Sequence, residues 1–150
     1  MAREIAEDAL YLLLGFASAY IFYYFILSSL LHTPIPVVSI MTGSMIPTLY
    51  PGDAVVVYGG TSDIKIGDII VFDALAQGCT ESGNPVTYPI IHRVVKIHKD
   101  GTLETMGDNN APLQLACERN IKRENVYGKV VLKLPLIGWP RKIIYDLFRV

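Results

Sequence analysis

From Ala9 to Leu31 the chain carries no charged residue. At 1.5 Å rise per residue, about 22 residues of helix reach about 33 Å, enough to cross the hydrocarbon core of a bilayer. A transmembrane helix is therefore expected, and the remaining residues must fold beside a membrane. The alternative is a cleaved secretory signal, for which Ala17-Ser18-Ala19 offers a small-x-small pattern. Two features weigh against it: Arg3 is accompanied by Glu4, Glu7 and Asp8, and the apolar run continues from Tyr20 to Leu27 beyond the place of cutting. An uncleaved anchor is the expectation. Arg3 and the α-amine precede the helix and Lys65 is the first basic residue after it, a small bias that puts the N-terminus in the cytoplasm and the body outside.

The segment also accounts for the composition, 51% hydrophobic against 18% charged in 150 residues, which exceeds the apolar share of an ordinary soluble domain. What is left suffices for one modest domain with its own core. With 13 basic and 14 acidic residues, a net charge of -1 and no Lys/Arg-rich run, nucleic acid is not an expected partner. The expected division is residues 1–8 in the cytoplasm, 9–31 in the membrane, 32–138 as an extracytoplasmic β domain, and 139–150 as a C-terminal tail. That tail is too short and too charged to span, and either an interfacial helix presenting Trp139, Ile143 and Leu147 or a plain packed helix fits it.

Between Pro34 and Leu134 the pattern is β. Short β-branched runs begin at Pro36, Ala54, Asp68, Ile90, Leu103 and Val126, and Gly-Asp or Asp-Gly pairs punctuate them at Gly52-Asp53, Gly67-Asp68, Asp100-Gly101 and Gly107-Asp108. No helical period of useful length separates the runs, so the fold class expected is mainly β: a small antiparallel domain behind one N-terminal helix. Residues 77–89 and 109–125 are expected as long loops. Cys79 and Cys117 fall in these two loops, on the side where a disulfide can persist, and a bridge or two free thiols are both open.

Three segments carry candidate chemistry. Ser44 follows Gly43 in Met41-Thr-Gly-Ser-Met-Ile-Pro, close behind the membrane segment. A serine in such a loop is commonly a turn residue, but its hydroxyl is also a possible nucleophile. His92 interrupts the apolar strand Ile90-Ile-His-Arg-Val-Val, either as a satisfied core histidine or as a base able to accept a serine proton near neutral pH. Asp108 in Gly107-Asp-Asn-Asn is either an Asx-turn residue or the carboxylate that orients the imidazole. Residues 94–106 read as a hairpin. A three-residue loop Lys99-Asp100-Gly101 with Gly101 left-handed sets His92 opposite Asp108, with Cβ atoms roughly 5 Å apart. A two-residue loop instead turns Asp108 toward Arg93 and the other face.

The ordered set Ser44-Met-Ile-Pro-Thr-Leu with Gly52-Asp53, then Gly67-Asp-Ile-Ile-Val-Phe, Ile91-His-Arg-Val and Gly107-Asp-Asn-Asn, behind one N-terminal helix, resembles the boxes of type I signal peptidases. It covers most of the soluble part. His92 stands where bacterial members have a lysine, as in the archaeal and endoplasmic-reticulum branch. The resemblance implies a membrane-bound serine endopeptidase that removes signal peptides by cutting after a small-x-small site. Ser44 is its nucleophile, His92 its general base and Asp108 its acidic partner, and the Ser44 N–H with the Thr42 hydroxyl forms the oxyanion hole. This branch often has a second aspartate six positions after the first, where this chain has Gln114. Either that carboxylate is dispensable or a rearranged loop lets Glu118 serve.

The partners implied are secretory precursors, the lipid bilayer, and the translocation machinery or accessory subunits, in the plasma membrane or the endoplasmic reticulum. No cofactor and no metal site is expected, because His32 and His98 lie apart from any Cys/His cluster. Two other readings compete. A self-cleaving repressor-type peptidase would need a DNA-binding module and a lysine base, and a non-catalytic tethered β domain would only bind precursors or partner subunits.

Overall fold

The computed structural model describes residues 2–148. The apolar run forms one helical rod: α1 (Ala2–Ile21), a π-helical stretch over Phe22–Leu27, and a last turn, α2 (Ser28–Leu31). Helix therefore begins ahead of the apolar run and takes in the charged start, where Arg3 and Glu7 pair at 3.0 Å one turn apart. Leu12, Leu13, Phe16 and Phe25 stand more than half exposed, and the stretch from Glu7 to Leu31 is long and apolar enough to cross a membrane.

The rod stops at His32, which takes the left-handed conformation at φ 53° and returns its N–H to the Ser28 and Ser29 carbonyls. The Gly59 N–H then donates to the Leu31 carbonyl at 2.8 Å, tying the rod to the β domain. A Cβ at Gly59 would fall 1.8 Å from the His32 carbonyl oxygen, so glycine is what permits this approach.

The β-branched runs form the expected antiparallel domain. Strands β1 (Val37–Ser39), β2 (Ala54–Tyr58), β3 (Ile69–Phe72), β6 (Ile90–Ile97), β7 (Leu103–Met106) and β8 (Val126–Leu134) make one sheet in the order β1-β2-β8-β3-β6-β7. The expected loop 77–89 contains a small ribbon of β4 (Thr80–Glu81) with β5 (Asn84–Pro85), and the expected loop 109–125 contains 3-10 turns at Ala116–Arg119 and Arg123–Asn125. The tail forms α3 (Trp139–Phe148). Its Trp139 ring lies against Gly52 while Ile143, Ile144 and Leu147 stay exposed.

Alternation along the strands sends side chains to both faces, and both are covered. On one face Ile70, Phe72, Ile90, Val94, Leu103, Ile121 and Val126 pack with Cys79 and Val86. On the other, Val55, Val57 and Val71 pack with Val38, Ile40, Met45 and Leu49. Cys79 and Cys117 are bridged, with Cα atoms 5.2 Å apart. This fastens the 116–119 turn beneath the first face.

The hairpin β6–β7 has the expected loop, with Gly101 at φ 85° and the His98 N–H bonded to the Thr102 carbonyl at 2.9 Å. Ile97 pairs with Leu103 and Lys96 with Glu104 in the expected register. Val95 is then an extra residue: beyond it Val94 pairs with Thr105 and Arg93 with Met106. The bulge moves every later partner by one place, which brings Gly107 rather than Asp108 level with His92.

Candidate active site

The Ser44 loop is a closed excursion from β1 to β2. Its two ends are pinned by Ile40 N–H to the Asp53 carbonyl (2.8 Å) and Gly52 N–H to the Ile40 carbonyl (2.9 Å). The Asp53 side chain completes the closure: it accepts from the Tyr50 N–H at 2.9 Å and pairs with Lys133 at 2.8 Å. Burial pushes its carboxyl upward, but Lys133 and the backbone N–H donors outweigh this and hold it below the usual carboxylate range. Met45 and Leu49 are buried under the sheet, each anchoring the loop by about 2 kcal/mol of apolar burial. Ser44, next to Met45, is thereby held at the boundary of the core, and its Oγ lies 3.3 Å from Thr42 Oγ1.

His92 reaches this place from the other direction. It lies on the same face of β6 as Ile90 and Val94, and only 5% of its surface is exposed. Gly107, just past the end of β7, stands between the two. A Cβ there would fall 2.8 Å from His92 Nε2 and 2.7 Å from the Ser44 carbonyl oxygen. The Asn109 N–H donates to that carbonyl at 2.8 Å, and Asn109 Nδ2 donates to the Gly43 carbonyl at 3.2 Å. The Gly107-Asp-Asn-Asn segment thus joins the serine loop to the histidine strand, and the missing side chain at Gly107 leaves the room in which they meet.

The carboxylates are arranged otherwise than the expected register has it. Asp108 does not take the imidazole; it receives Arg93 Nε at 2.8 Å and Arg93 Nη2 at 2.7 Å, and Thr48 Oγ1 donates to it as well. The one-residue shift at Val95 is the physical reason, since it turns Asp108 to the face that carries Arg93. The Arg93 guanidinium holds the Asp108 carboxyl below its usual range, against a smaller opposing effect of burial. In return the carboxylate raises the guanidinium.

His92 Nδ1 is instead hydrogen-bonded to Glu118 Oε1. Glu118 is fully buried, and it also accepts from Thr105 Oγ1 at 3.2 Å and from the Leu115 N–H at 2.9 Å. Gln114 points elsewhere: its Nε2 donates to the Thr105 carbonyl at 2.6 Å and to Glu104 Oε1 at 3.3 Å. His98 bonds the Arg119 carbonyl at 2.9 Å, and His32 packs edge-on against Tyr58. Thr48 and Arg93 were not singled out by their residue types, although Arg93 stands beside His92 in a motif.

A pinned loop that carries a serine hydroxyl, with its backbone beside an imidazole whose other nitrogen is bonded to a buried carboxylate, fits the class of serine hydrolases that work through a histidine. The signal peptidase, peptidase S26, family model matches residues 10–110, and the chain belongs to that family. It is 32% identical to the signal peptidase complex catalytic subunit of Eremothecium gossypii, over 91% of this chain and 81% of the relative. The same subunit of Yarrowia lipolytica is 33% identical over 85% and 75%, and that of Pyrenophora teres 30% identical over 91% and 79%. The protein is accordingly a signal peptidase, with a mainly β catalytic domain behind one apolar helix.

Proposed function

We propose that Ser44 and His92 carry the peptidase reaction, on secretory precursors whose signal peptides are inserted in the same membrane as Glu7–Leu31. The observation that carries this reading is the meeting of the Ser44 loop and His92 Nε2 around Gly107. His92 Nε2 takes the Ser44 proton as Oγ attacks the scissile carbonyl carbon. The oxyanion that forms is met by the Ser44 N–H and the Thr42 hydroxyl. The imidazolium then gives its proton to the leaving amine as the C–N bond breaks. Water, deprotonated by the same nitrogen, releases the acyl group and restores Ser44. Asp108 takes no proton in this scheme. Its contacts with Arg93 and Thr48 brace the serine loop against β6.

Tethering favours this substrate, because an anchored enzyme meets a membrane-inserted segment at raised effective concentration. The rod is fastened to the β domain at Leu31 and Gly59, which keeps the site near the lipid boundary. Cleavage follows a small-x-small sequence just outside the bilayer, with the β domain extracytoplasmic. The relatives are named as catalytic subunits of a signal peptidase complex, and accessory subunits in an endoplasmic-reticulum-type or plasma membrane fit the same reading.

The test is incubation of the detergent-solubilised chain with a precursor bearing a small-x-small site, with mass spectrometry of the products. Wild type is expected to cut once after the second small residue, and Ser44→Ala to abolish the cut. Undiminished cutting by Ser44→Ala removes the nucleophile. Failure of the wild type while it still retains the precursor favours the non-catalytic binding domain.

A further inference from the structure

We infer that Glu118, carried on the Ala116–Arg119 turn, is the positioning carboxylate of the Ser44–His92 pair; this rests on the peptidase reading above. A base that takes the serine proton at Nε2 must carry its own proton on Nδ1, and a fixed acceptor at Nδ1 selects that tautomer and ring orientation. Glu118 Oε1 is that acceptor. When the imidazole becomes a cation, the same oxygen stabilises it in a site that excludes water, where an electrostatic contact is strongest.

The carboxylate is itself held on several sides. Oε1 is shared with Thr105 Oγ1, which comes from β7, and Oε2 accepts from the Leu115 N–H while the Glu118 N–H returns a bond to the Leu115 carbonyl at 3.0 Å. Cys117, the preceding residue, is bonded to Cys79, so the turn cannot carry Glu118 away from β6 without moving the bridged loop. Packing alone does not call for this pair. It borders a cluster of Ile70, Phe72, Ile90 and Leu103, where two apolar side chains of similar volume would be at least as stable as a buried carboxyl group hydrogen-bonded to an imidazole. Asp108 cannot serve in its place, because both of its oxygens are engaged by Arg93.

The experiment compares wild type, Glu118→Gln, Glu118→Asp and Ser44→Ala as full-length proteins in detergent. Steady-state cleavage is measured for each, together with imidazole 1H–15N spectra of the wild type and of Glu118→Gln. For Glu118→Gln, kcat is expected to fall about 1,000-fold with KM within about threefold. Glu118→Asp, which keeps the charge but shortens the reach, is expected to recover part of kcat. The wild-type spectrum should show a downfield His92 proton on Nδ1 that is lost in Glu118→Gln.

A Glu118→Gln enzyme with kcat within about threefold of wild type overturns the proposal. So does a wild-type spectrum with the His92 proton on Nε2. If Glu118→Gln does not fold, the wild-type spectrum and Glu118→Asp decide: a proton on Nδ1 with a lowered kcat supports the role, and either one missing overturns it. Cleavage by Ser44→Ala at the wild-type rate would sink the peptidase reading instead, while the spectrum still reports whether Glu118 fixes the ring.

Discussion

His92 and Arg93 are consecutive in β6, and each holds a carboxylate, but on opposite faces of the sheet and under different conditions. The His92 and Glu118 side chains are 6% and 0% exposed, whereas Arg93 and Asp108 keep 32% and 15%. The first pair is dry and includes a group that can gain and lose a proton. The second is partly wet and charged on both sides at neutral pH. A guanidinium in two parallel hydrogen bonds to a carboxylate fixes geometry without exchanging protons, so the Arg93 side is suited to bracing the serine loop. The imidazole on the other face is suited to moving the proton. One strand supplies both because neighbouring residues point in opposite directions.

The comparison can be broken first at the disulfide, which belongs to the His92 face alone. Replacing both Cys79 and Cys117 by serine is expected to lower stability by about 3 to 4 kcal/mol in the chain-entropy model, read by chemical denaturation. Cleavage should fall as well, since the turn bearing Glu118 loses its fastening. Retained activity at reduced stability would show that the Thr105 and Leu115 bonds hold Glu118 without the bridge.

Gly107 is where the two faces communicate. A methyl group at that position would press on the Ser44 carbonyl, a backbone atom that cannot move without the loop, and on His92 Nε2. Gly107→Ala is expected to reduce kcat/KM about 100-fold through misplacement of the reacting groups, with a folded protein by circular dichroism. Activity close to wild type would mean that the serine loop approaches His92 by a path that avoids Gly107.

Much of this was legible in the amino-acid sequence, for a physical reason: strands announce themselves by period-two alternation and the rod by its length without charge. The six strands of the main sheet, the three-residue turn at Lys99–Gly101 and the apolar helix all follow from those signals. The partner of His92 does not, because it depends on one extra residue. Val95 and Lys96 are both exposed, a break in alternation that shows only when burial is known, and it exchanges Asp108 for Gly107 beside the imidazole. Glu118 enters only as one of two ways to account for Gln114 standing where an aspartate is expected; nothing in its residue type, in a polar loop beside Arg119, says that it is buried. The β4–β5 ribbon is equally silent, being two residues per strand and exposed throughout.

The Arg93 face can be tested through pH. The Asp108 carboxyl lies below its ordinary value chiefly because of Arg93, so the stability it contributes is fully present above the ordinary carboxylate range. It is lost as the pH falls through the lower folded value, below about pH 4. Asp108→Asn is expected to cost about 1 to 2 kcal/mol at neutral pH, and the gap between variant and wild type should narrow on acidification. Cleavage should drop about tenfold, through a loosened serine loop rather than a lost proton acceptor. A loss as deep as that of Glu118→Gln would merge the two roles that the faces separate.

Gln114 offers the smallest effect and the sharpest discrimination, since it stands at the position where the family resemblance leads to the expectation of a second aspartate. Its amide ties the Thr105 carbonyl and Glu104 from the side of β7, one bond removed from Glu118, which shares Thr105 through its hydroxyl. Gln114→Ala is expected to cost about 1 kcal/mol of stability and to change kcat by less than about threefold. The reason is that the imidazole keeps its acceptor and the acceptor keeps its two other donors. A deep loss of kcat in Gln114→Ala at normal stability would place the control of His92 in the 109–115 segment rather than in the turn that follows it.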